Sequence, residues 1–319
     1  MKTVLITGGS GTIGKAFIRE YYNEFQFVSF ARNEKAQVQL KRNFPNTEIV
    51  LGSIENEITL EIAFIKYKPT IVIHAAALKH VDTAEKQPSA AVGANILGSL
   101  NVIRLSRKYG VDYCIGISTD KACSPGNLYG QTKYIMERLF QEFDDPLGTR
   151  FINCRFGNVA WSNGSVLPYW SRLNEEGKSL PVTDTRMTRL IFSDKEAAQL
   201  IRKSIDLCVE IDSFFILSKK MKKVSMIKLA KLISDNYHII GLRDGEILFE
   251  ELINEKEKDY CYIIDDVYLA LIPEKIEYYA KKFNCSLSSE NAEEMSTEEM
   301  ELLLLNFKEG RDFNYKTNY

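Results

Sequence analysis

The chain predicts an α/β protein, a Rossmann-like, doubly wound parallel sheet with a smaller C-terminal substrate-binding lobe. Two observations predict it. A glycine-rich turn follows the first apolar run, and short runs rich in β-branched residues then alternate with stretches of helical periodicity. Strand, helix, strand in that order makes a parallel sheet with right-handed crossovers. A ligand of such a sheet sits beyond the C-terminal ends of its strands.

The first strand is Thr3-Val-Leu-Ile-Thr7, and Gly8-Gly9-Ser10-Gly11-Thr12-Ile13-Gly14 leads from it into a helical pattern starting at Lys15. Glycines three residues apart allow a tight turn and bring the backbone close to a pyrophosphate, which the free N–H groups and dipole of the helix N-terminus stabilise. Gly8, Ser10, Gly11, Thr12 and Ile13 are therefore cofactor-binding candidates.

The second strand, Phe25-Gln-Phe-Val-Ser-Phe30, ends in Ala31-Arg32-Asn33 with no carboxylate at its tip. An acidic residue there would hold the ribose 2′-hydroxyl of NAD, whereas Arg32 suits a 2′-phosphate. NADP is the expected cofactor and NAD the alternative; a solvated loop arginine is the plainer account of Arg32. A third strand, Glu48-Ile-Val-Leu51, leads to Ser53, where an adenine would rest. The fourth, Ile71-Val-Ile-His-Ala75, runs into Ala76, both alanines being cofactor-side candidates. A helix from about Ser89 to Tyr109 and a strand Tyr113–Ser118 follow, so Gly8, Ala75 and Thr119 should gather at one end of the sheet.

Ser118-Thr119-Asp120-Lys121 and Tyr129-Gly-Gln-Thr-Lys133 place an acid, an amine and a phenol–lysine pair within sixteen residues. A Tyr and a Lys four apart on a helix share one face. The Lys133 ammonium is thus expected to hold Tyr129 partly ionised, below the usual phenol pKa of ~10. Such a Tyr deprotonates an alcohol while a hydride leaves its carbon. In the plainer account Asp120 forms a turn and Lys121 is solvated.

Composition excludes several classes. Net charge is −2 with Lys and Arg dispersed, which speaks against nucleic acid or anionic lipid as main partner. The six cysteines lack metal-ligand spacing and read as reduced small hydrophobes, with no metal site. No apolar stretch approaches ~18 residues and no signal peptide is expected, so neither a membrane span nor export is, and the cytoplasm is the expected location. Residues 1–160 are expected to form the NADP-binding domain with the Asp-Lys and Tyr-Lys pairs. Residues 161–319 are expected to be mainly substrate-binding, with some segments returning to the first domain. Ser296 and Glu299 have the spacing of a capping box ahead of a C-terminal helix expected to pack or to make an oligomer contact.

Thr7-Gly-Gly-Ser-Gly-Thr-Ile-Gly14, His74-Ala-Ala-Ala-Leu-Lys-His-Val81, Asn95-Ile-Leu-Gly98, Ser118-Thr-Asp-Lys-Ala122, Asn127-Leu-Tyr-Gly130, Arg155-Phe-Gly-Asn-Val159, Gly164-Ser-Val166, Asp184-Thr-Arg-Met-Thr-Arg189 and Gly241-Leu-Arg-Asp-Gly-Glu246 occur in this order and spacing. Together they resemble the extended short-chain dehydrogenase/reductases and, within them, the UDP-N-acetylglucosamine 4,6-dehydratases of bacterial surface-sugar biosynthesis. The likeness spans nearly the whole chain.

The resemblance implies that Tyr129 takes the proton of the sugar 4-hydroxyl, with Thr119 hydrogen bonded to the same oxygen, while the C4 hydride passes to NADP+. The 4-ketone acidifies C5–H, which Lys121 removes as a neutral amine, its pKa lowered by Lys133 and the oxidised nicotinamide. Protonated Asp120 then donates to the departing 6-hydroxyl, and the hydride returns to C6. Lys79, Asn158, Arg189, Arg243 and Glu246 match substrate-side positions, the arginines near the UDP group, where a guanidinium fork suits phosphate. His74 and His80 are expected to fix loops.

UDP-N-acetylglucosamine or a related UDP-amino sugar is the implied partner, in a homo-oligomer. C5 inversion is favoured over retention; a UDP-sugar 4-epimerase and a non-catalytic NADP-binding protein are the alternatives. Ser53, Trp161, Asp244 and Phe249 depart from the family pattern and bear on substrate identity.

Overall fold

The structure is a computed structural model that describes residues 1–265, 267–273 and 281–310. Six parallel strands form the first part of a ten-stranded sheet: β1 (Thr3–Thr7), β2 (Gln26–Ala31), β3 (Glu48–Leu51), β4 (Ile71–His74), β5 (Tyr113–Thr119) and β6 (Arg150–Phe156). Their spatial order is β6-β5-β4-β1-β2-β3, the doubly wound arrangement whose order reverses beside β1. Ile216–Lys219 adds in parallel to β6, and three antiparallel strands, Tyr268–Leu271, Cys261–Ile264 and Lys281–Lys282, extend that edge. Val4, Leu5, Ile6 and Ile71, Val72, Ile73 are wholly buried, as a sheet covered on both faces requires.

Register sets the site. Thr7 is opposite both Phe30 and His74, and His74 is opposite Gly116. Gly8, Ala75 and the last residues of β5 therefore emerge at the same end.

Helices α1 (Thr12–Tyr21), α2 (Glu34–Asn43) and α3 (Glu57–Tyr67) connect the outer strands. Asn33 and Asn56 cap α2 and α3 through their side chains, each such cap being worth about 1 kcal/mol. After β4 come α4 (Val81–Lys86) and α5 (Pro88–Val92); a widened π-turn at Gly93–Leu97 then joins α5 to α6 (Gly98–Lys108). The helix expected from Ser89 to Tyr109 thus carries a bulge, a feature frequent at functional sites. The bulge aims Asn95 at the loop after β4. Its Oδ1 accepts from Leu78 N at 2.8 Å and its Nδ2 donates to Leu78 O at 3.0 Å and to Thr132 Oγ1 at 2.9 Å. Thr132 lies on α7 (Leu128–Phe143), so the bulge ties that loop to the helix bearing Tyr129.

A second apolar cluster gathers Leu167, Trp170, Leu180, Val182, Leu229 and Met300. Between its segments the chain returns to the main sheet: the helix Asp194–Leu207 packs on α1, and Ile216–Lys219 joins β6. Ser296 and Glu299 form both bonds of the expected capping box. The helix Thr297–Gly310 that follows is fastened by Trp161 Nε1, which donates to Leu303 O at 2.9 Å. No helix among the described residues is long and apolar enough to cross a membrane. Five cysteines are buried free thiols, and Cys285 is exposed.

Candidate active site

The glycine turn builds the floor. Gly8 has φ +73°, and a Cβ there would stand 2.9 Å from Ala76 N, so only glycine lets the β1 and β4 ends approach. Gly11 caps α1 without a side chain, leaving first-turn N–H groups at the cavity that Thr12 and Ile13 line. Such an uncovered helix start suits a pyrophosphate.

Past β5 the chain makes one tight turn, Asp120–Ala122, and α7 begins at Leu128. Asn127 caps it, accepting from Gly130 N at 2.8 Å. A Cβ on Gly130 would lie 2.2 Å from Lys121 O; the bare glycine lets the first turn of α7 rest on the Asp120 turn. Tyr129 is thereby brought beside Thr119 on the cavity wall, and the Thr119 hydroxyl lowers the phenol pKa against burial.

A cavity of about 1300 Å³ spans the strand ends. Gly8, Ser10, Gly11, Thr12, Ile13, Arg32, Ser53, Ala75 and Ala76 line one arm of it; Thr119, Lys121, Tyr129 and Lys133 line its centre; Lys79, Asn158, Arg189, Arg243 and Glu246 line the rest. Of the catalytic, cofactor and substrate candidates named from the sequence, only Asp120 is not on the wall. It is wholly buried behind Thr119 and Lys121. Its Oδ1 accepts from Thr119 Oγ1 at 3.0 Å, Lys121 N at 2.8 Å and Lys121 Nζ at 3.2 Å. Its carboxyl therefore reaches the cavity only through Thr119 and Lys121.

Two protonation expectations are corrected. Lys121 is not driven towards neutrality: burial alone would lower its pKa, but Asp120 and Glu250, with Nζ 2.8 Å from Glu250 Oε1, outweigh it and raise the pKa. Nor does Lys133 hold Tyr129 down. Burial raises Tyr129 to about 12 and lowers Lys133 to about 7. Lys133 Nζ donates to Met136 Sδ at 3.0 Å. The helical spacing was right, but burial dominates both groups and Lys133 Nζ turns to Met136 rather than to the phenol.

Glu250 is the residue that sequence reasoning missed. It is 2 % exposed and lines the cavity. It also binds Arg189 Nε at 3.2 Å and accepts from Asn158 Nδ2 at 3.0 Å. Burial pushes its pKa up, yet Lys121 and Arg189 hold it well below the usual carboxylate range. Asp120 moves the other way, raised by burial and by Glu250. The only signal in the chain was a carboxylate four residues beyond Glu246, next to Phe249.

The groups expected on the substrate side are engaged with the protein. Arg189 donates to the carbonyls of Thr188, Ile247 and Leu248. Arg243 Nη2 is paired with Glu246 Oε1 at 2.6 Å. Lys79 Nζ donates to Asn163 O, and burial lowers its pKa. His74 is structural: buried between Thr7 Oγ1 at 2.8 Å and Ser99 Oγ at 2.9 Å, it is lowered to about 3 by burial and then by Lys133. His80 precedes α4.

This sheet, with a bare glycine turn on β1 and a Tyr-Lys pair on the helix after β5, defines an extended short-chain dehydrogenase/reductase of the nucleotide-sugar dehydratase and epimerase kind. Residues 4–271 match the family described as polysaccharide biosynthesis protein, and the chain belongs to that family. It is 32% identical to a UDP-N-acetylglucosamine 4,6-dehydratase (inverting) of Campylobacter jejuni, over 97% of this chain and 98% of that protein. It is 30% identical to a UDP-glucose 4-epimerase of Rickettsia massiliae over 95% of each. Among solved structures, that of Pen from Bacillus thuringiensis superimposes with a TM-score of 0.87 at 30% identity, covering 96% of this chain and 98% of that one.

Proposed function

We propose that the protein is a UDP-N-acetylglucosamine 4,6-dehydratase that oxidises C4, eliminates water across C5 and C6, returns hydride to C6 and inverts C5. One observation carries the reading: an amine, Lys121, stands on the cavity wall near Tyr129 with a protonatable carboxyl, Asp120, directly behind it. Exchange of configuration at C4 needs the Tyr and Lys alone. Expulsion of a hydroxyl needs both a base for C5–H and an acid.

The glycine turn and uncovered start of α1 suit a dinucleotide, and exposed Arg32 at the tip of β2 suits a 2′-phosphate, which favours NADP over NAD. When bound, that cofactor supplies the hydride acceptor for C4 and the hydride donor for C6. Tyr129 takes the O4 proton. Its high pKa makes its phenolate a strong base, and Lys133 stands one turn along α7 on the same cavity. Thr119 orients the phenol. Lys121 removes the C5 proton, and Asp120 supplies the proton that leaves with the 6-hydroxyl.

Lys79, Asn158, Arg189, Arg243 and Glu246 form the wall for the UDP-sugar, and residues 161–319 are mainly its binding lobe. A cytoplasmic homo-oligomer completes the reading, on the family resemblance alone.

A 4-epimerase is the second reading, favoured by the Rickettsia relative. Product analysis after incubation with UDP-N-acetylglucosamine separates the two. The dehydratase gives a product lighter by one water with the opposite C5 configuration; an isomer of unchanged mass, or coenzyme released reduced in stoichiometric amount, contradicts the proposal.

A further inference from the structure

We propose that Glu250 carries protons for the elimination, receiving one from Lys121 and exchanging it with Asp120. The inference rests on the dehydratase reading. It stands on geometry. Glu250 Oε1 is 2.8 Å from Lys121 Nζ and 3.2 Å from Arg189 Nε, and Asn158 Nδ2 donates to Oε2 at 3.0 Å. Its backbone is locked by Ser289, whose Oγ accepts from Glu250 N at 3.0 Å and whose N donates to Glu250 O at 2.8 Å. The two carboxyls share one amine, Lys121 Nζ lying 3.2 Å from Asp120 Oδ1 and 2.8 Å from Glu250 Oε1, and Asp120 Oδ2 is buried with no hydrogen-bond partner. Two carboxyls buried on one amine do not both ionise readily, which leaves a proton on one of them.

Three groups therefore share two protons. Arg189 and Asn158 favour charge on Glu250, so at rest Asp120 is the acid, Glu250 the carboxylate and Lys121 an ammonium. That state contains no base for C5–H. Moving one proton from Lys121 Nζ to Glu250 Oε1 supplies it, leaving a neutral amine beside two carboxylic acids.

The amine then takes the C5 proton and becomes ammonium again. The C5–H electron pair, held as the enolate of the 4-ketone, forms the C5–C6 double bond as the 6-hydroxyl leaves. That hydroxyl accepts one carboxyl proton and departs as water, and the site returns to one acid, one carboxylate and one ammonium. When C5 is reprotonated by Lys121, the proton that O4 surrendered to Tyr129 and Lys133 restores the ammonium. Because Asp120 is off the cavity wall and Glu250 is on it, the exchange between them also explains how a buried acid serves the sugar. Glu250 does this through Lys121 and Asp120 and is a positioning residue for their protons.

Glu250→Gln keeps the shape and removes the acceptor. With UDP-N-acetylglucosamine, reduced-nicotinamide absorbance should still appear, while dehydration and C5–H exchange in deuterated water fall by at least about 100-fold. The acid limb assigned to Asp120 in the pH profile should move to lower pH. The groups facing Glu250 are Asp120, Lys121, Arg189 and Asn158, with Tyr129 across the cavity, and Asp120 loses its carboxylate neighbour. Carbon NMR of the carboxyls, read without substrate, should show Asp120 titrating above the ordinary carboxylate range in the wild type and falling in Glu250→Gln.

Dehydration within about threefold of wild type, an unmoved Asp120 titration, or loss of C4 oxidation together with C5 exchange would overturn the proposal. If Glu250→Gln does not fold, Glu250→Asp decides: partial recovery of C5 exchange supports the role, and none with cofactor still bound refutes it. Wild-type protein that makes no dehydrated product sinks the dehydratase reading instead, and the substrate-free titration then decides for Glu250 by itself.

Discussion

Lys121 and Glu250 form a buried ion pair, Nζ 2.8 Å from Oε1, that joins the end of β5 to the segment entering the strand Glu251–Ile253. Two carboxyls therefore flank one amine at the place where the proposed reaction needs a base and an acid.

Lys121→Ala separates the steps. Tyr129 and Thr119 are left in place, so cofactor binding and C4 oxidation persist, while formation of dehydrated product falls by about 10²–10⁴-fold. Rapid-mixing absorbance reads the first step and product mass the second. Turnover equal to wild type would remove Lys121 from the role of base.

Tyr129→Phe acts earlier. It deletes the phenol oxygen beside Thr119 and leaves Lys121, Asp120 and Glu250 untouched. C4 oxidation itself should slow by about 10²–10⁴-fold, with thermal stability little changed. Normal oxidation with blocked dehydration would place Tyr129 in the wrong step.

The outline of this site was legible because its parts are local. The glycine turn, the strand–helix alternation and the Tyr129–Lys133 spacing each need only a few neighbouring residues, and all end on one cavity. What was not legible depends on contacts between distant segments. Glu250 meets Lys121 only through the fold, and its charge reverses the expected pKa of Lys121. The spacing of Tyr129 and Lys133 carries no information about how little water reaches either. Asn95 reads as ordinary helix; the π-turn that aims it at Leu78 appears only in three dimensions.

Arg155 offers a test of stability apart from catalysis. Its guanidinium, 1 % exposed, binds Glu137 at 2.8 Å and Glu257 at 2.9 Å, and Ser118 Oγ donates to Glu137 as well. Arg155→Met leaves two carboxylates without their buried cation, which should cost about 3–5 kcal/mol. Urea unfolding reads this as a lower midpoint at unchanged slope. A loss below about 1 kcal/mol would show the network contributing no more than a surface pair.

His74 predicts an acid limit. Its folded pKa, about 3, lies below the ordinary imidazole value of 6.5, so the folded state binds fewer protons than the unfolded one between those values. Its contribution is complete above pH 6.5 and is lost as pH falls towards 3. At about 1.4 kcal/mol per pH unit the total is a few kcal/mol. His74→Asn, which keeps a polar side chain near Thr7 and Ser99, should flatten the fall in stability over that window. An unchanged slope in unfolding free energy against pH would assign the acid sensitivity elsewhere.

The fate of the hydrogen on C4 tests the central claim most directly. UDP-N-acetylglucosamine carrying deuterium at C4, turned over by the protein with its cofactor, should give a 4-keto product with the label at C6, located by NMR. Label retained at C4 of an isomer, or found on reduced coenzyme released to solution, would contradict an oxidation, elimination and reduction completed on one sugar within one site.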